Sequence, residues 1–292
     1  MEESKKYLLQ IYLTSICSFR CEYCNVYDNS KVDEELNFNQ LQKILDDFKL
    51  LNYDLSIFIY GGEPFQSNQL IETVNFLTNS RNNLKISIQT NGYNLSKFEY
   101  FLNPVKVKLK LSFHSTRMTW SIFKKVCIRY SKHLESISIM TDLNNYVNLE
   151  ESIKYYRLLL KIFDIDIIFA PIINMNQIHN NYKIDDKFLK ELINNSNYHN
   201  LIHDNGFSFY DIWNQFGPYI TRNNNVPFNC TIRDNQMELY NNHIYRCEHF
   251  RESESGISLD NFNLRDYLTL SNKCEQTKCL FFNSCFHKEI VC

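Results

Sequence analysis

The sequence predicts an α/β fold built as an incomplete parallel barrel, followed by a small cysteine-rich module. Three observations support this prediction. Strand-like and helix-like segments alternate over the first two-thirds of the chain, the strands carry one aliphatic and one polar face, and six of the ten cysteines crowd into the last third. Because β and α units alternate, we expect parallel strands joined by right-handed crossovers.

Six segments have the composition and alternation of strands. They are Tyr7–Thr14, Leu55–Tyr60, Leu84–Thr90, Val105–Phe113, Ser136–Thr141 and Ile165–Ala170. Helical spacing of apolar residues lies between them and once beyond them. The predicted helices are Leu41–Leu51, Leu70–Leu77 with Ser67 as a candidate N-cap, Ser96–Asn103, Thr119–Leu134, Leu149–Phe163 and Asp185–Asn195.

The two faces of each predicted strand differ. In the third strand, Leu84, Ile86 and Ile88 alternate with a polar set, Lys85, Ser87 and Gln89. A doubly wound sheet buries both faces under helices, and a closed eight-stranded barrel fills its interior with branched apolar side chains. Six strands with one polar face instead predict helices over the aliphatic face and a ligand-holding lumen on the polar face. A polar face that is merely solvated is the alternative.

Length and charge limit the class of protein. The chain has 292 residues, 44% of them hydrophobic, and a formal net charge of −2. It can form one large domain with an appendage, and its charge gives no reason to expect nucleic-acid or membrane binding. The apolar run after the charged start is too short for a signal peptide or a membrane helix, so we expect a cytoplasmic protein. Thiols stay reduced there, and ten cysteines then indicate metal binding rather than disulfides.

Three cysteines, Cys17, Cys21 and Cys24, follow the first predicted strand, and the next cysteine is Cys127. Zinc and iron–sulfur sites usually take four protein ligands, so three thiolates leave one metal position open for chemistry. A structural zinc site with a remote fourth ligand is the alternative. The pattern Cys-x3-Cys-x2-Cys resembles the cluster loop of the radical S-adenosylmethionine enzymes. That resemblance implies a partial (β/α)6 TIM-like barrel and a catalytic [4Fe–4S] cluster on Cys17, Cys21 and Cys24, with S-adenosylmethionine on the fourth iron.

Two further motifs end the second and third predicted strands, where ligands bind in parallel α/β architectures. The first runs from Tyr60 to Pro64 and contains two adjacent glycines, which allow close approach of the backbone to a ligand. It resembles the family's Gly-Gly-Glu motif, which implies that the methionine amino group is held by Gly61, Gly62, Glu63 and Pro64. The second, Thr90-Asn91-Gly92, resembles another family motif and implies that Asn91 lies at the cofactor.

The resemblance implies roles for three other residues near this edge. It places Tyr23 against the adenine, and Ser112 against the methionine carboxylate or the ribose. His114 is a candidate acid or base toward substrate, and a structural histidine is the equal alternative. Cys127 shares a helix face with apolar residues, which favours a buried inert cysteine over a hydrogen donor that quenches a radical.

The C-terminal cysteines form a second candidate site. Asn242 precedes Cys247 by five residues, and Asn tolerates the left-handed conformation that a turn before a ligand requires. The segment resembles the SPASM/Twitch extension of the family, although Asn242 replaces a glycine. The resemblance implies one auxiliary [4Fe–4S] cluster, with two clusters as the rival and a zinc ribbon as the alternative. Its ligands would be Cys230, Cys247 and two among Cys274, Cys279 and Cys285, whereas Cys292 is the least supported.

The predicted organisation is a barrel at 1–200, a bridging segment at 201–226 and the auxiliary-cluster module at 227–292. The resemblance implies reductive cleavage of S-adenosylmethionine, hydrogen abstraction by the 5′-deoxyadenosyl radical, and a flavodoxin- or ferredoxin-type reductant. We expect a peptide substrate that is cross-linked, converted to a thioether or epimerised. Because the first strand begins near Tyr7, we expect either that a separate protein presents a leader peptide or that the substrate needs no leader. The alternatives are a sugar, nucleoside or other small metabolite as substrate, and a non-catalytic iron–sulfur or zinc protein.

Overall fold

Nine strands form one mostly parallel sheet, and this computed structural model describes residues 5–24, 35–80, 84–142, 146–171, 228–230, 236–245, 256–269, 273–274 and 288–290. Six strands, β1 to β6, lie side by side in chain order and run parallel. They are β1 Lys5–Thr14, β2 Tyr53–Gly61, β3 Lys85–Thr90, β4 Val107–Phe113, β5 Leu134–Thr141 and β6 Asp166–Pro171. This confirms the predicted α/β class with parallel strands.

Helices connect these strands. They are α1 Phe38–Leu50, α2 Leu70–Ser80, α3 Trp120–Arg129 and α4 Tyr146–Leu160, with 3₁₀ turns at Pro64–Gln66, Ser96–Tyr100, Pro104–Lys106 and Ser131–His133. Asn37 caps α1, since its side chain accepts a hydrogen bond from Gln40 N. The predicted helix at Ser96–Asn103 is instead a short 3₁₀ turn. Val105, predicted to begin the fourth strand, lies in the turn that starts at Pro104 and is 79% exposed.

The two faces of the sheet are buried to different extents, as the alternation predicts. The core consists of the aliphatic face together with the apolar sides of the helices, including Ile57, Ile88 and Leu109 from the strands. The opposite face is only half-buried or exposed at Ser56, Ser87 and similar positions. Burial of the aliphatic set drives this arrangement, because each buried aliphatic side chain contributes roughly 1.5–3 kcal/mol.

The C-terminal part of the chain adds three strands to the main sheet and forms a small second sheet of its own. Strand β8 pairs in parallel with β1, and a hairpin continues outward through β9 to β10. Their bounds are β8 Gln236–Tyr240, β9 His243–Tyr245 and β10 Ile257–Ser258, followed by a 3₁₀ turn at Leu259–Asn261 and helix α5 Leu264–Thr269. The small antiparallel sheet has the order β11-β7-β12, from β7 Phe228–Cys230, β11 Lys273–Cys274 and β12 Lys288–Ile290.

The main sheet is not closed, since β10 and β6 are its two edge strands among the described residues. Within the same part of the chain, no helix has the length and apolarity needed to cross a membrane. The predicted helix Asp185–Asn195 and the bridging segment 201–226 lie outside the described residues.

Candidate active site

The candidate site lies where the carboxyl ends of β1, β2, β3 and β4 meet. The cysteine loop follows β1 directly, the Gly-Gly-Glu motif ends β2, the Thr-Asn-Gly motif ends β3, and His114 follows β4. Parallel pairing places all four ends at one edge of the sheet. The structure therefore brings together the three motifs that the sequence singled out.

The cysteine loop is tightly turned, and its three thiols differ in exposure. Cys17 is half-buried, Cys21 is buried and Cys24 is exposed. Cys24 N donates to Cys21 O at 3.0 Å, and Arg20 has a left-handed φ of 44°, which is uncommon for a residue other than glycine. Burial raises the pKa of both the Cys17 and the Cys21 thiols.

Gly61 and Gly62 hold the end of β2 directly against the start of the cysteine loop. Gly62 N donates to Thr14 O at 2.6 Å, and Glu63 N donates to Ile16 O at 2.8 Å. A Cβ on Gly61 would lie 2.3 Å from Thr14 O, and one on Gly62 would lie 2.4 Å from Ile16 O. The close approach that requires these glycines is thus to the backbone of the cysteine loop.

The Glu63 carboxylate is buried, with 3% of its surface exposed, and it ties β2 to β3. Its Oε1 accepts from Thr90 Oγ1 at 2.7 Å and from Phe65 N at 3.1 Å, and its Oε2 accepts from Asn91 N at 2.8 Å. Burial raises the Glu63 pKa to about 7, although these hydrogen bonds oppose the shift. No ion pair to Glu63 is present within the described residues. Pro64, also buried, starts the 3₁₀ turn that follows.

Asn91 and Ser112 are both buried at this edge. Asn91 Oδ1 accepts from Tyr93 N at 2.9 Å, and Ser112 Oγ accepts from Gln89 Nε2 at 3.0 Å. Gly92, the last residue of the Thr-Asn-Gly motif, has a φ of +74°, and its N–H donates to Thr90 Oγ1. The motif is thus a turn whose side chains and backbone fix the orientation of Glu63.

Tyr23 and His114 contact each other beside Cys21. The Tyr23 hydroxyl lies 2.7 Å from His114 Nδ1, and Cys21 Sγ lies 3.6 Å from the same nitrogen. The two rings are nearly parallel, and Phe19 packs edge-on against the imidazole. Burial lowers the His114 pKa to about 4, so the imidazole is neutral near pH 7 and cannot donate a proton as an imidazolium. This geometry favours the structural role that the sequence left open for His114.

Two residues that shape this edge of the sheet, Thr90 and Arg117, were not predicted as site residues from the sequence. Thr90 was noted only as part of its motif, although its hydroxyl donates to Glu63. Arg117 carries no motif signal. Its Nη2 donates to Arg20 O at 2.6 Å, and its guanidinium favours the thiolate form of Cys21. A charged residue in the turn after β4 can be assigned to the cysteine loop only once the fold is known.

The other candidate ligands fall largely outside the described residues, and these are Cys247, Cys279, Cys285 and Cys292. The backbones of Cys230 and Cys274 lie in the small sheet, where Cys274 is paired with Phe228 and Cys230 with Lys288. Cys127 is fully buried in the apolar core on α3, as the pattern predicted. An auxiliary cluster therefore stays a prediction.

Fold and site together define a class of protein. Residues 11–146 match the model of the Radical SAM superfamily, so this part of the chain is similar to a radical SAM domain. The match includes the cysteine loop, the Gly-Gly-Glu motif, the Thr-Asn-Gly motif and His114. Together with the relatives below, it indicates an enzyme of the radical SAM class, a class that implies a [4Fe–4S] cluster and S-adenosylmethionine.

Two curated relatives have different activities. The radical SAM cyclopropyl synthase TigE of Paramaledivibacter caminithermalis is 25% identical over 203 residues, which cover 63% of this chain and 43% of that protein. The GTP 3′,8-cyclase of Pasteurella multocida is 28% identical over 98 residues, 32% of this chain and 29% of that protein. The chain thus spans less than half the length of either relative.

Two solved structures share the fold. Streptococcus suis SuiB bound to its precursor peptide SuiA superposes with a TM-score of 0.60 at 16% identity, covering 91% of this chain and 65% of SuiB. Native anSMEcpe with bound AdoMet gives a TM-score of 0.60 at 18% identity, covering 91% of this chain and 81% of that protein. At these identities the likeness establishes the architecture alone.

The residues at the edge suit the cluster that the class implies. Within the described part of the chain, no three His, Cys, Asp or Glu side chains converge as they would around a single metal ion. A four-iron cluster does not require such convergence, because each of three thiolates binds a different iron. Cys17, Cys21 and Cys24 supply three thiols on one loop, and thiolates are the ligands that such clusters take.

Proposed function

We propose that this chain is a radical S-adenosylmethionine enzyme that cleaves S-adenosylmethionine reductively and uses the 5′-deoxyadenosyl radical to abstract hydrogen from a peptide. The observation that carries the proposal is the docking of the cysteine loop on the Gly-Gly-Glu motif through Gly62 N and Glu63 N. Cys17, Cys21 and Cys24 would hold the cluster, which supplies the electron for carbon–sulfur cleavage when it is bound.

Glu63 has the properties of a partner for the methionine ammonium. Its carboxylate is buried, and it has no ion-pair partner among the described residues. Three donors leave one of its approximately four lone-pair sites open, on Oε2. An ammonium placed there would favour the ionised carboxylate and offset its desolvation. Asn91 and Ser112 line the same edge, and we assign them to cofactor binding with Glu63.

A peptide substrate is favoured by two similarities. TigE, a cyclopropyl synthase, matches 63% of this chain, and the fold resembles that of SuiB in complex with a precursor peptide. The partly exposed polar face of the sheet lies beside the candidate cofactor site, and a flexible peptide can lie on it.

The proposal also includes partners and a second cluster. A flavodoxin- or ferredoxin-type protein would supply electrons, and a separate protein could present a leader peptide. The C-terminal cysteines would hold one auxiliary cluster.

A nucleotide or other small metabolite is the second candidate. It is favoured by the GTP 3′,8-cyclases, which match about a third of this chain. Co-expression with a short peptide encoded beside the gene separates the candidates. A mass change in the peptide that requires intact Cys17, Cys21 and Cys24 supports peptide modification. An unchanged peptide, with turnover of a nucleotide or sugar, supports the second candidate.

The class itself is tested by anaerobic reconstitution. Iron and sulfide are counted, dithionite and S-adenosylmethionine are added, and 5′-deoxyadenosine is measured beside a Cys17→Ala/Cys21→Ala/Cys24→Ala variant. Wild-type protein alone should produce 5′-deoxyadenosine and should hold about eight irons, as two four-iron clusters would require. Zinc in place of iron, or no cleavage by wild type, would contradict the proposal.

A further inference from the structure

Among the described residues, Cys21 lies beside the side chains of Tyr23, His114 and Arg117. We infer that Tyr23 donates a hydrogen bond to the Cys21 sulfur, that His114 orients the Tyr23 hydroxyl, and that Arg117 places a positive charge beside the sulfur. These three residues, here called the Cys21 donor group, would together raise the reduction potential of the cluster. The inference rests on the proposed function, because it concerns the same cysteine loop. It assigns Tyr23 a role beyond the adenine contact that the resemblance implies, and it assigns Arg117 a role at the cluster.

The first step is geometric. His114 Nδ1 lies 3.6 Å from Cys21 Sγ and 2.7 Å from the Tyr23 hydroxyl, so the three polar atoms form a compact group. A thiolate bound to iron can only accept hydrogen bonds. One arrangement satisfies all three groups, in which His114 Nδ1–H donates to the Tyr23 oxygen and the Tyr23 O–H donates to the sulfur.

Arg117 adds a positive charge to this chain of hydrogen bonds. The turn after β4 places it there, since Arg117 N and Met118 N both donate to His114 O at 2.9 Å. The guanidinium donates to Arg20 O, the carbonyl directly before Cys21, at 2.6 Å. It therefore fixes the left-handed Arg20 and brings a cation beside one ligand sulfur.

Cys17 and Cys21 thus have unequal surroundings. The neighbours of Cys17 are the backbone N–H of Phe19 and the negative charge of Glu63. Those of Cys21 are a hydroxyl, an imidazole and a guanidinium. Hydrogen bonds and positive charge at a cluster sulfur stabilise the reduced, more negative state and so raise the potential. Since the cluster must accept an external electron before it can act, its potential limits the rate at which a weak biological reductant loads it.

The test is a potentiometric titration of reconstituted protein, followed by electron paramagnetic resonance. The catalytic cluster is identified as the signal that changes when S-adenosylmethionine is added, which separates it from any auxiliary cluster. Tyr23→Phe removes only the hydroxyl, and Tyr93→Phe is its matched control, because Tyr93 packs against Phe19 and is 59% exposed. Arg117→Gln removes the cation, and Arg129→Gln is its control on the exposed face of α3.

At the potential that half-reduces wild type, Tyr23→Phe and Arg117→Gln should each lower the ratio of reduced to oxidised cluster by about tenfold, or about 59 mV for one electron. Both controls should match wild type. If both variants bind a full complement of iron and still show the wild-type ratio of reduced to oxidised cluster, the inference is wrong. A folded variant that cannot hold iron would also count against it, because the donor group is assigned to tuning rather than to holding the cluster. A wild-type protein with no signal that responds to S-adenosylmethionine would instead refute the proposed function.

Discussion

At the residue scale, Gly62 determines whether two loops of the site can meet. Any Cβ at this position would lie 2.4 Å from Ile16 O, a backbone atom that cannot move without displacing Cys17. Gly62→Ala should therefore destabilise the protein by roughly 1–3 kcal/mol, as overpacking does. It should also reduce iron uptake in anaerobic reconstitution, because the cysteine loop shifts.

Gly92→Ala is the matched control for this prediction. Gly92 has a φ of +74°, so alanine is strained there, but its Cβ would meet side chains rather than backbone, namely Val126 at 3.3 Å and Leu111 at 3.5 Å. Both variants should unfold at lower urea concentration than wild type, and only Gly62→Ala should lose iron. Equal iron contents in the two variants at equal stability would show that the Gly62 contact does not position the cysteines.

Because Glu63 is buried, we expect the stability of the folded protein to depend on pH. Its pKa is about 7 in the folded protein against 4.5 ordinarily, so the folded state binds the proton more tightly than the unfolded state does. Stability is therefore unaffected below about pH 4.5, falls as pH rises from there to about 7, and stays reduced above that. The total penalty is on the order of 3 kcal/mol, since one pKa unit corresponds to 1.36 kcal/mol.

The measurement is urea unfolding of wild type and Glu63→Gln between pH 5 and pH 8, without cofactor. Glutamine loses one acceptor toward Asn91 N but cannot ionise, so the wild type should lose stability relative to this variant as pH rises. Glu99→Gln removes an exposed carboxylate that pairs with Arg129, and it should follow the wild-type profile. A constant difference between wild type and Glu63→Gln across this range would contradict the assigned pKa.

At the element scale, the turn between β8 and β9 fastens the C-terminal hairpin to helix α1. Asn241 and Asn242 have φ of 45° and 54°, the positive values of a two-residue hairpin turn. Asn242 Oδ1 accepts from Asn37 N, and its Nδ2 donates to Glu35 O, both at 2.8 Å. Asparagine thus does more here than glycine could, because its side chain also holds the segment at the N-terminus of α1.

Asn242→Gly tests this role. Glycine adopts positive φ freely, so any loss of stability comes from the two missing hydrogen bonds, worth roughly 1–2 kcal/mol together. Asn241→Gly is the comparison variant, since the φ requirement is the same and the Asn242 bonds to Asn37 N and Glu35 O stay intact. Thermal unfolding should show the lower midpoint for Asn242→Gly, and a reversed order would place the anchoring contact at Asn241.

The elements predicted from the sequence are those with strong local patterns. Alternation predicted β1 to β6 to within about two residues, because the buried and open faces of each strand differ chemically. The errors occur where local backbone chemistry competes, as at Pro104, which turns the chain before β4 begins. Parallel pairing of the strands was enough to predict that the motifs meet at one edge of the sheet. The contact of Arg117 with the cysteine loop could not be predicted, because the two residues that it joins are 97 positions apart in the sequence. The pairing of β8 with β1 likewise leaves no trace in either segment alone.

At the scale of the whole molecule, the pairing of β8 with β1 makes the folding of residues 11–146 depend on the C-terminal part of the chain. Strand β8 covers the edge of β1, with Leu9 paired to Met237 and Ile11 to Leu239, and all four side chains are almost fully buried. Helix α5 packs against α1 and buries Leu264 and Tyr267. Without these elements, β1 becomes an exposed apolar edge strand directly before the cysteine loop, and such edges promote aggregation.

A chain that ends after residue 171 retains all of residues 11–146 but lacks β8, and we expect it to aggregate or to unfold at much lower temperature than wild type. A chain that ends after residue 269 keeps β8 to β10 and α5, and in size-exclusion chromatography it should show the same oligomeric state as wild type. It should also take up iron on Cys17, Cys21 and Cys24, because those elements complete the sheet beside β1. If the shorter chain proved monomeric with an unchanged unfolding midpoint, β8 would be an accessory strand, and residues matching the family model would fold without it.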